Sequence, residues 1–365
     1  MYKAIKINNF RCFEKFEIND LEQINLIVGS NNTGKTALLE AIFLHCGQRN
    51  PELALRVNAF RGIESIKIEL APWTSTPWDS LFFNFDNSKT IEIIGKNEKS
   101  GVKKLSIKIL RQPHEMKKIP SAPRPHEYRA REETETYKAG FSGTAKVLEL
   151  KFEEKKSSTT SYLIIDQHGQ RIEPIPPAPS FPAFFQASNI RIPSAEVAER
   201  YGNSEIAGKQ QVLIEALRLI EPRLKRLLIL MIGGVPTLHG DTGIGRPVPL
   251  PLMGEGMVKI ANIILHISNA SHGVVLIDEI ENGIHYSVLK NLWSAIRDAA
   301  EEFDVQLFTT THSLECVAAA HRAFSDGNKY NFRLFRLEGE NGSIKAIAYD
   351  RETLEIALES DLEVR

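Results

Sequence analysis

The run Gly29, Ser30, Asn31, Asn32, Thr33, Gly34, Lys35, Thr36 satisfies G-x-x-x-x-G-K-[ST] in full. Glycines at both ends let successive backbone N–H groups wrap a phosphate chain. Lys35 is placed to reach the β and γ phosphates, and Thr36 offers a hydroxyl to Mg²⁺. A helix beginning there adds the partial positive charge of its N-terminus. Further along, four apolar residues (Val274, Val275, Leu276, Ile277) end in Asp278 and Glu279. An acid at the carboxyl end of a buried parallel strand stands where such sheets bind ligands. Asp278 is read as holding the nucleotide's Mg²⁺, and Glu279 as orienting or deprotonating the attacking water. A third apolar run, Val305 to Thr311, delivers His312 to a strand end, where it would sense or stabilise the γ phosphate as a hydrogen-bond donor.

These residues need a scaffold, and the pattern around them supplies one. Residues 1–28 alternate and then close on Ile24, Leu26, Ile27 and Val28, which predicts strands leading into a core strand. A helix is predicted over Lys35 to Cys46 with Gly47 as its stop. From about 48 to 185, short alternating segments (Ser65 to Leu70, Lys89 to Ile94, Lys104 to Ile109, Val147 to Phe152, Ser161 to Ile165) predict an inserted antiparallel sheet. Within it, Gln112 to Thr144 is rich in Pro and charge, and predicts a mobile loop. Residues 194–232 read as helical, keeping a 3.6-residue beat across Pro222 through Leu224, Leu227 and Leu228. Gly233 to Pro251 is Gly- and Pro-rich. Helices at Gly256 to Ser268, Tyr286 to Phe303 and Ser313 to His321 then alternate with strands at Val274 to Ile277 and Val305 to Thr310, which predicts a parallel sheet and an α/β fold.

Composition limits the remaining classes. The chain has 365 residues, 42% hydrophobic and 25% charged, with 45 basic against 46 acidic side chains, which excludes a disordered, collagen-like or disulfide-stapled protein. The strongest apolar run, Leu227 to Ile232, is far too short to span a bilayer, and Met1 to Phe13 lacks the hydrophobic region of a secretory signal. No membrane partner and a cytoplasmic location are therefore expected. Cys12, Cys46 and Cys316 are too scattered for disulfides or a metal knuckle, and read as small buried hydrophobes. His266, His272, His285 and His321 have no zinc-site spacing. Trp73, Trp78, Phe82, Phe83 and Phe85 are read as core filling in preference to stacking on bases. Lys96 to Arg131 carries eleven Lys or Arg against three Glu, either a solvated face or a contact for duplex DNA.

The order of these motifs, with Gly254 and Gly256 heading the helix before Asp278, resembles the ABC-type ATPase heads of the SMC, RecF and OLD group. It is most similar to the stand-alone bacterial AAA-family, OLD-like ATPases. Further matching residues are Asn8, Asn9, Phe10 and Arg11, the run Met253, Gly254, Glu255, Gly256, Met257, the stretch Asp278 to His285, and Thr311, His312, Ser313. The resemblance implies a P-loop NTPase head: a mainly parallel core sheet, an inserted antiparallel β subdomain and a helical signature subdomain. Its expected divisions are 1–47 and 271–365 (the two halves of the ATPase core), 48–185 (the insert) and 186–270 (the signature subdomain). It implies ATP and Mg²⁺ as cofactors and an ATP-dependent homodimer that sandwiches two nucleotides. Carried onto this sequence, Lys35 and Thr36 become phosphate and Mg²⁺ ligands, Asp278 the Mg²⁺ aspartate, Glu279 the catalytic glutamate and His312 the switch histidine. Gly254 and Gly256 would face the other subunit's γ phosphate, Arg11 would lie near the nucleotide, and Gln186 would be a lid glutamine sensing Mg²⁺.

Two departures stand out. Pro251 and Met253 occupy the neighbourhood where the signature usually carries a Ser, so slow hydrolysis is expected. Only 53 residues follow His312, without an acidic cluster in a strand-turn-helix setting, so no nuclease of its own is expected. Two purposes remain open. One is a DNA-linked ATPase in repair or in defence against foreign DNA. The other is a slow ATP-gated switch for a separately encoded effector such as a nuclease.

Overall fold

Strand register decides where the chemistry sits. The computed structural model describes all residues except 64–75, 99, 112–118, 120–144, 156, 167–168, 341, 361 and 365. The expected strand Ser65 to Leu70, Trp73, and the expected loop Gln112 to Thr144 apart from Ile119 lie outside the described residues.

The chain opens with a hairpin, β1 (Tyr2–Phe10) and β2 (Phe13–Ile18), followed by β3 (Ile24–Gly29), every residue of which is buried. Helix α1 (Lys35–Cys46) follows, buried at every position except Thr36, and then the short α2 (Leu53–Ala59). Strands β4 (Ile91–Asn97), β5 (Gly101–Leu110), β6 (Lys146–Glu154), β7 (Ser157–Asp166) and β8 (Gly169–Glu173) complete a seven-stranded antiparallel sheet in the order β2-β1-β4-β5-β6-β7-β8. The expected insert is thus continuous with the N-terminal hairpin, since Ile5 pairs with Gly95 and Ile7 with Ile93. The expected division at residue 47 is crossed by this pairing.

Next come β9 (Ala183–Gln186), α3 (Ser194–Ile206), α4 (Gln210–Arg218), and a small sheet of β10 (Arg226–Ile232), β11 (Val235–Asp241) and β12 (Val248–Pro249). The continuous helical reading of 194–232 is corrected here. Pro222 has no N–H to donate, which ends the helical stretch, and the following apolar run enters a hairpin through Gly233 (φ 56) and Gly234 (φ 83). Leu224 and Leu227 still pack in the same core as Leu213 and Leu217, so the helical beat marked real burial but the wrong backbone.

Helix α5 (Glu255–Asn269), β13 (Val274–Ile277), α6 (Tyr286–Glu302), β14 (Gln306–Thr310), α7 (Leu314–Ser325), β15 (Phe332–Glu340), β16 (Ser343–Tyr349) and α8 (Arg351–Glu359) finish the chain. The core sheet runs β16-β15-β3-β14-β13-β9, with β15, β3, β14, β13 and β9 parallel and β16 antiparallel at one edge. Helix α1 packs between this sheet and the antiparallel one, sharing a core with Ile5, Ile93, Leu276 and Phe308. Helices α5, α6 and α7 cover the other face. Strands buried on both faces read as continuous apolar runs, which is what β3 and β13 show. Thr309 pairs with both Ile277 and Leu26, so the segments leaving β3, β13 and β14 emerge on one edge of the sheet.

Candidate nucleotide site

At that edge the phosphate loop leaves β3. Gly29 has φ 143, and a Cβ there would lie 2.6 Å from the Leu337 carbonyl oxygen; at Gly34, with φ 90, it would lie 2.7 Å from Cys12 Sγ. Both positions demand glycine for backbone angle and for space. Thr33 Oγ1 donates to the Ser30 carbonyl at 2.8 Å. The buried Lys35 Nζ donates to the carbonyls of Gly29 (2.8 Å) and Ser30 (2.9 Å). Burial pushes the Lys35 ammonium below its ordinary pKa, against the opposing pull of Asp278, Glu279 and Glu281.

Thr36 Oγ1 faces both carboxylate oxygens of Asp278, at 3.0 and 3.2 Å. Thr310, fully buried at the end of β14, completes the arrangement: its hydroxyl donates to Asp278 Oδ1 at 2.7 Å and accepts the Glu279 N–H at 2.8 Å. Sequence reading noticed Thr310 only as a strand end. Its role follows from its place beside β13 and could not be read locally. Glu279 itself has a left-handed φ of 50, its carboxylate accepts from Asn282 Nδ2, and its carbonyl accepts from Lys259 Nζ at 3.1 Å. His312 is exposed at the cleft, and its backbone N–H donates to Glu281 Oε1 at 2.8 Å. Ser313 caps α7 by accepting the Cys316 N–H at 3.0 Å, a structural task.

The resulting cleft of about 710 Å³ brings together Asn31, Asn32, Gly34, Lys35, Thr36, Asp278, Glu279, His312 and Arg11. Arg11 lines it without being free: Nε donates to Glu40 at 3.1 Å, Nη2 to Asn58 at 2.8 Å and Nη1 to the Ser80 carbonyl at 3.0 Å. Arg61, Asn84 and Phe85 also line the cleft, and sequence reading assigned none of them to it. Cys46 and Cys316 are buried as expected, whereas Cys12 is half-buried against the loop.

Three expected residues stand elsewhere. Gln186 ends β9 and its carbonyl accepts the Asp278 N–H at 2.9 Å, but its side chain lines a neighbouring cavity of about 520 Å³ with Lys259 and Asn282. Gln186 Oε1 is buried and has no hydrogen-bond partner among the described residues. Gly254, with φ 115, and Gly256 head α5 and do not line the phosphate-loop cleft. The oxygen donors of Thr36 and Asp278, with the unsatisfied Gln186 oxygen one strand away, are the hard-ligand chemistry a small divalent cation accepts.

The AAA_21 family model, described as "AAA domain, putative AbiEii toxin, Type IV TA system", matches residues 24–318. An ATP/GTP phosphatase of Helicobacter pylori is 24% identical, with 99% of each chain covered. An OLD nuclease of Thermus scotoductus is 36% identical over 93 residues, which is 26% of this chain and 14% of that protein. Among solved structures, the Smc head domain with an extended coiled coil bound to the C-terminal domain of ScpA, from Pyrococcus furiosus, superposes with a TM-score of 0.50 at 11% identity, covering 99% of both chains. Among the described residues no helix is long and apolar enough to cross a membrane. The chain belongs to the AAA_21 family and is an AAA-domain ATPase whose fold is like that of the Smc head.

Proposed function

We propose that this chain binds and hydrolyses ATP as an ATP-gated homodimer, in which each phosphate loop is completed by the glycine-headed helix α5 of the other copy. The observation that carries this reading is the separation of the two parts. Lys35, Thr36, Asp278 and Glu279 share one cleft, while Gly254 and Gly256 lie outside it. In this reading the loop N–H groups and Lys35 hold the phosphates, Glu279 orients the attacking water, and His312 donates toward the γ phosphate. Thr36 and Asp278 would hold Mg²⁺; Gln186, which lines the neighbouring cavity, would reach that ion only after turning its side chain. A divalent ion held there would supply charge neutralisation at the phosphate oxygens. The name of the H. pylori relative supports nucleoside triphosphates as substrates.

Two purposes of the cycle are weighed: a DNA-linked ATPase in repair or in defence against foreign DNA, and a slow switch for a separately encoded effector such as a nuclease. Within the basic segment, Lys103 pairs with Glu154 at 2.8 Å and Lys104 with Glu92 at 2.5 Å, so these two cations are already spent. Pro251 to Met253 precede Gly254 without a serine. Both observations favour a slow switch that presents a surface to a separately encoded effector over a clamp that grips duplex itself. Phosphate release with and without duplex DNA, at low and moderate salt and with Glu279→Gln as control, separates the two. The switch predicts slow turnover, abolished in the variant and indifferent to DNA. Salt-sensitive stimulation by DNA would replace it with the clamp.

A further inference from the structure

Residues 76–87, which precede β4, are tied to the core and to one another. Trp78, Leu81 and Phe82 are buried in the core that surrounds α1. The Asp79 carboxylate accepts from the Thr76 N–H (2.8 Å), Thr76 Oγ1 (2.6 Å) and Asn87 Nδ2 (2.5 Å), closing the segment on itself. From the other side, the Arg11 N–H donates to the Leu81 carbonyl at 2.8 Å, and Phe10 bridges Phe82. After Phe83, two successive residues adopt left-handed angles, Asn84 at φ 51 and Phe85 at φ 58. A bulky aromatic side chain rarely adopts that backbone, and such strain persists only where the surroundings enforce it.

The outcome is an aromatic ring 71% exposed on the wall of a cleft whose other lining residues are mostly polar or charged, the second aromatic there, Phe82, being buried. Trp78 and Phe82 behave as the expected core filling; Phe85 does not. A lone exposed apolar side chain needs no explanation. One pinned by its neighbours into a disfavoured backbone and turned into the phosphate-loop cleft does. From these observations the geometry points to Phe85 as the platform on which the base of the bound nucleotide stacks. This rests on the nucleotide reading of the cleft and deepens it.

A ring face offers area and polarisability but no hydrogen-bond pattern, so it holds ATP and GTP alike and purines better than pyrimidines. It does nothing for a ligand that lacks a base. The test is titration calorimetry of the full chain with Mg²⁺ and ATP, GTP or inorganic tripolyphosphate. Phe85→Ala weakens ATP and GTP about 10- to 100-fold and leaves tripolyphosphate unchanged. Phe85→Trp retains wild-type ATP affinity, and its added fluorescence changes with ATP but not with tripolyphosphate. The proposal is overturned if Phe85→Ala binds ATP like wild type, or if it weakens tripolyphosphate equally. Lys35→Ala separates the two levels. Loss of both ligands there, with Phe85→Ala unaffected, keeps the phosphate loop and removes the platform; retained ATP binding there removes both.

Discussion

Two charged clusters face the same cleft and differ in what is left over. In the first, the fully buried Glu40 accepts from Arg11 Nε (3.1 Å), Arg61 Nε (2.6 Å) and Arg61 Nη2 (3.1 Å), and the remaining Arg11 donors are spent on Asn58 and Ser80. In the second, Lys35 reaches only loop carbonyls, Thr36 donates directly to Asp278, and Thr310 links Asp278 to Glu279. Saturated charges hold the wall together, and charges with spare capacity are the ones a substrate can recruit. The contrast also supports the proposed dimer. With Arg11 and Arg61 committed to Glu40, Lys35 is the cation lining this cleft, among the described residues, that no carboxylate holds. Further donors for a triphosphate would then come from a second copy.

The contrast breaks if the two clusters respond alike to mutation. Glu279→Gln should lower ATP turnover by about 10²- to 10⁴-fold while leaving the thermal midpoint unchanged, because a cleft carboxylate that acts on water contributes chemistry and not packing. Phosphate-release assays beside calorimetric melting check both halves of that statement. Glu40→Ala should do the reverse. Removing the carboxylate leaves Arg11 buried without its counter-charge, at a cost of about 3–5 kcal/mol in denaturant unfolding, while ATP affinity of the folded protein persists.

A third test uses a buried titratable group far from the chemistry. His45 lies against Tyr2 and the Lys103 carbonyl, and burial pulls its pKa down from 6.5 to about 4. Between those values the unfolded chain binds the proton and the folded chain does not, so stability rises with pH there. Its contribution is complete above about pH 6.5 and is lost as pH falls through about 4, a span of about 3 kcal/mol. Urea midpoints should rise less steeply from pH 4 to 7 in His45→Gln than in wild type. The smallest effect is expected where the clusters meet the fold. Thr310→Val strands the Glu279 N–H and an Asp278 oxygen, costing about 1–3 kcal/mol with a matching drop in turnover, and Thr310→Ser restores both.

The phosphate loop and the Asp278–Glu279 pair were legible because their chemistry needs fixed residue types next to one another in sequence, on strands with unbroken apolar runs. Thr310 and the Arg11–Glu40–Arg61 group were not, because each depends on which distant segments the sheet places side by side. Residues 226–232 misled for a different reason. A short run of Leu, Ile and Met suits a buried helix and a strand equally, and the Gly233–Gly234 turn decides between them. Phe85 was read as core because composition cannot foresee a backbone that turns an aromatic outward.

The central claim is that each working site is built from two copies of the chain. It is tested by mixing Lys35→Ala, which lacks its own phosphate-loop cation, with Gly254→Glu, which blocks the head of α5. Each variant alone should be inactive. Random pairing makes half the dimers mixed, each with one intact composite site, so an equal mixture should regain roughly a quarter of wild-type turnover. No recovery on mixing, or full activity of Gly254→Glu alone, would contradict the account.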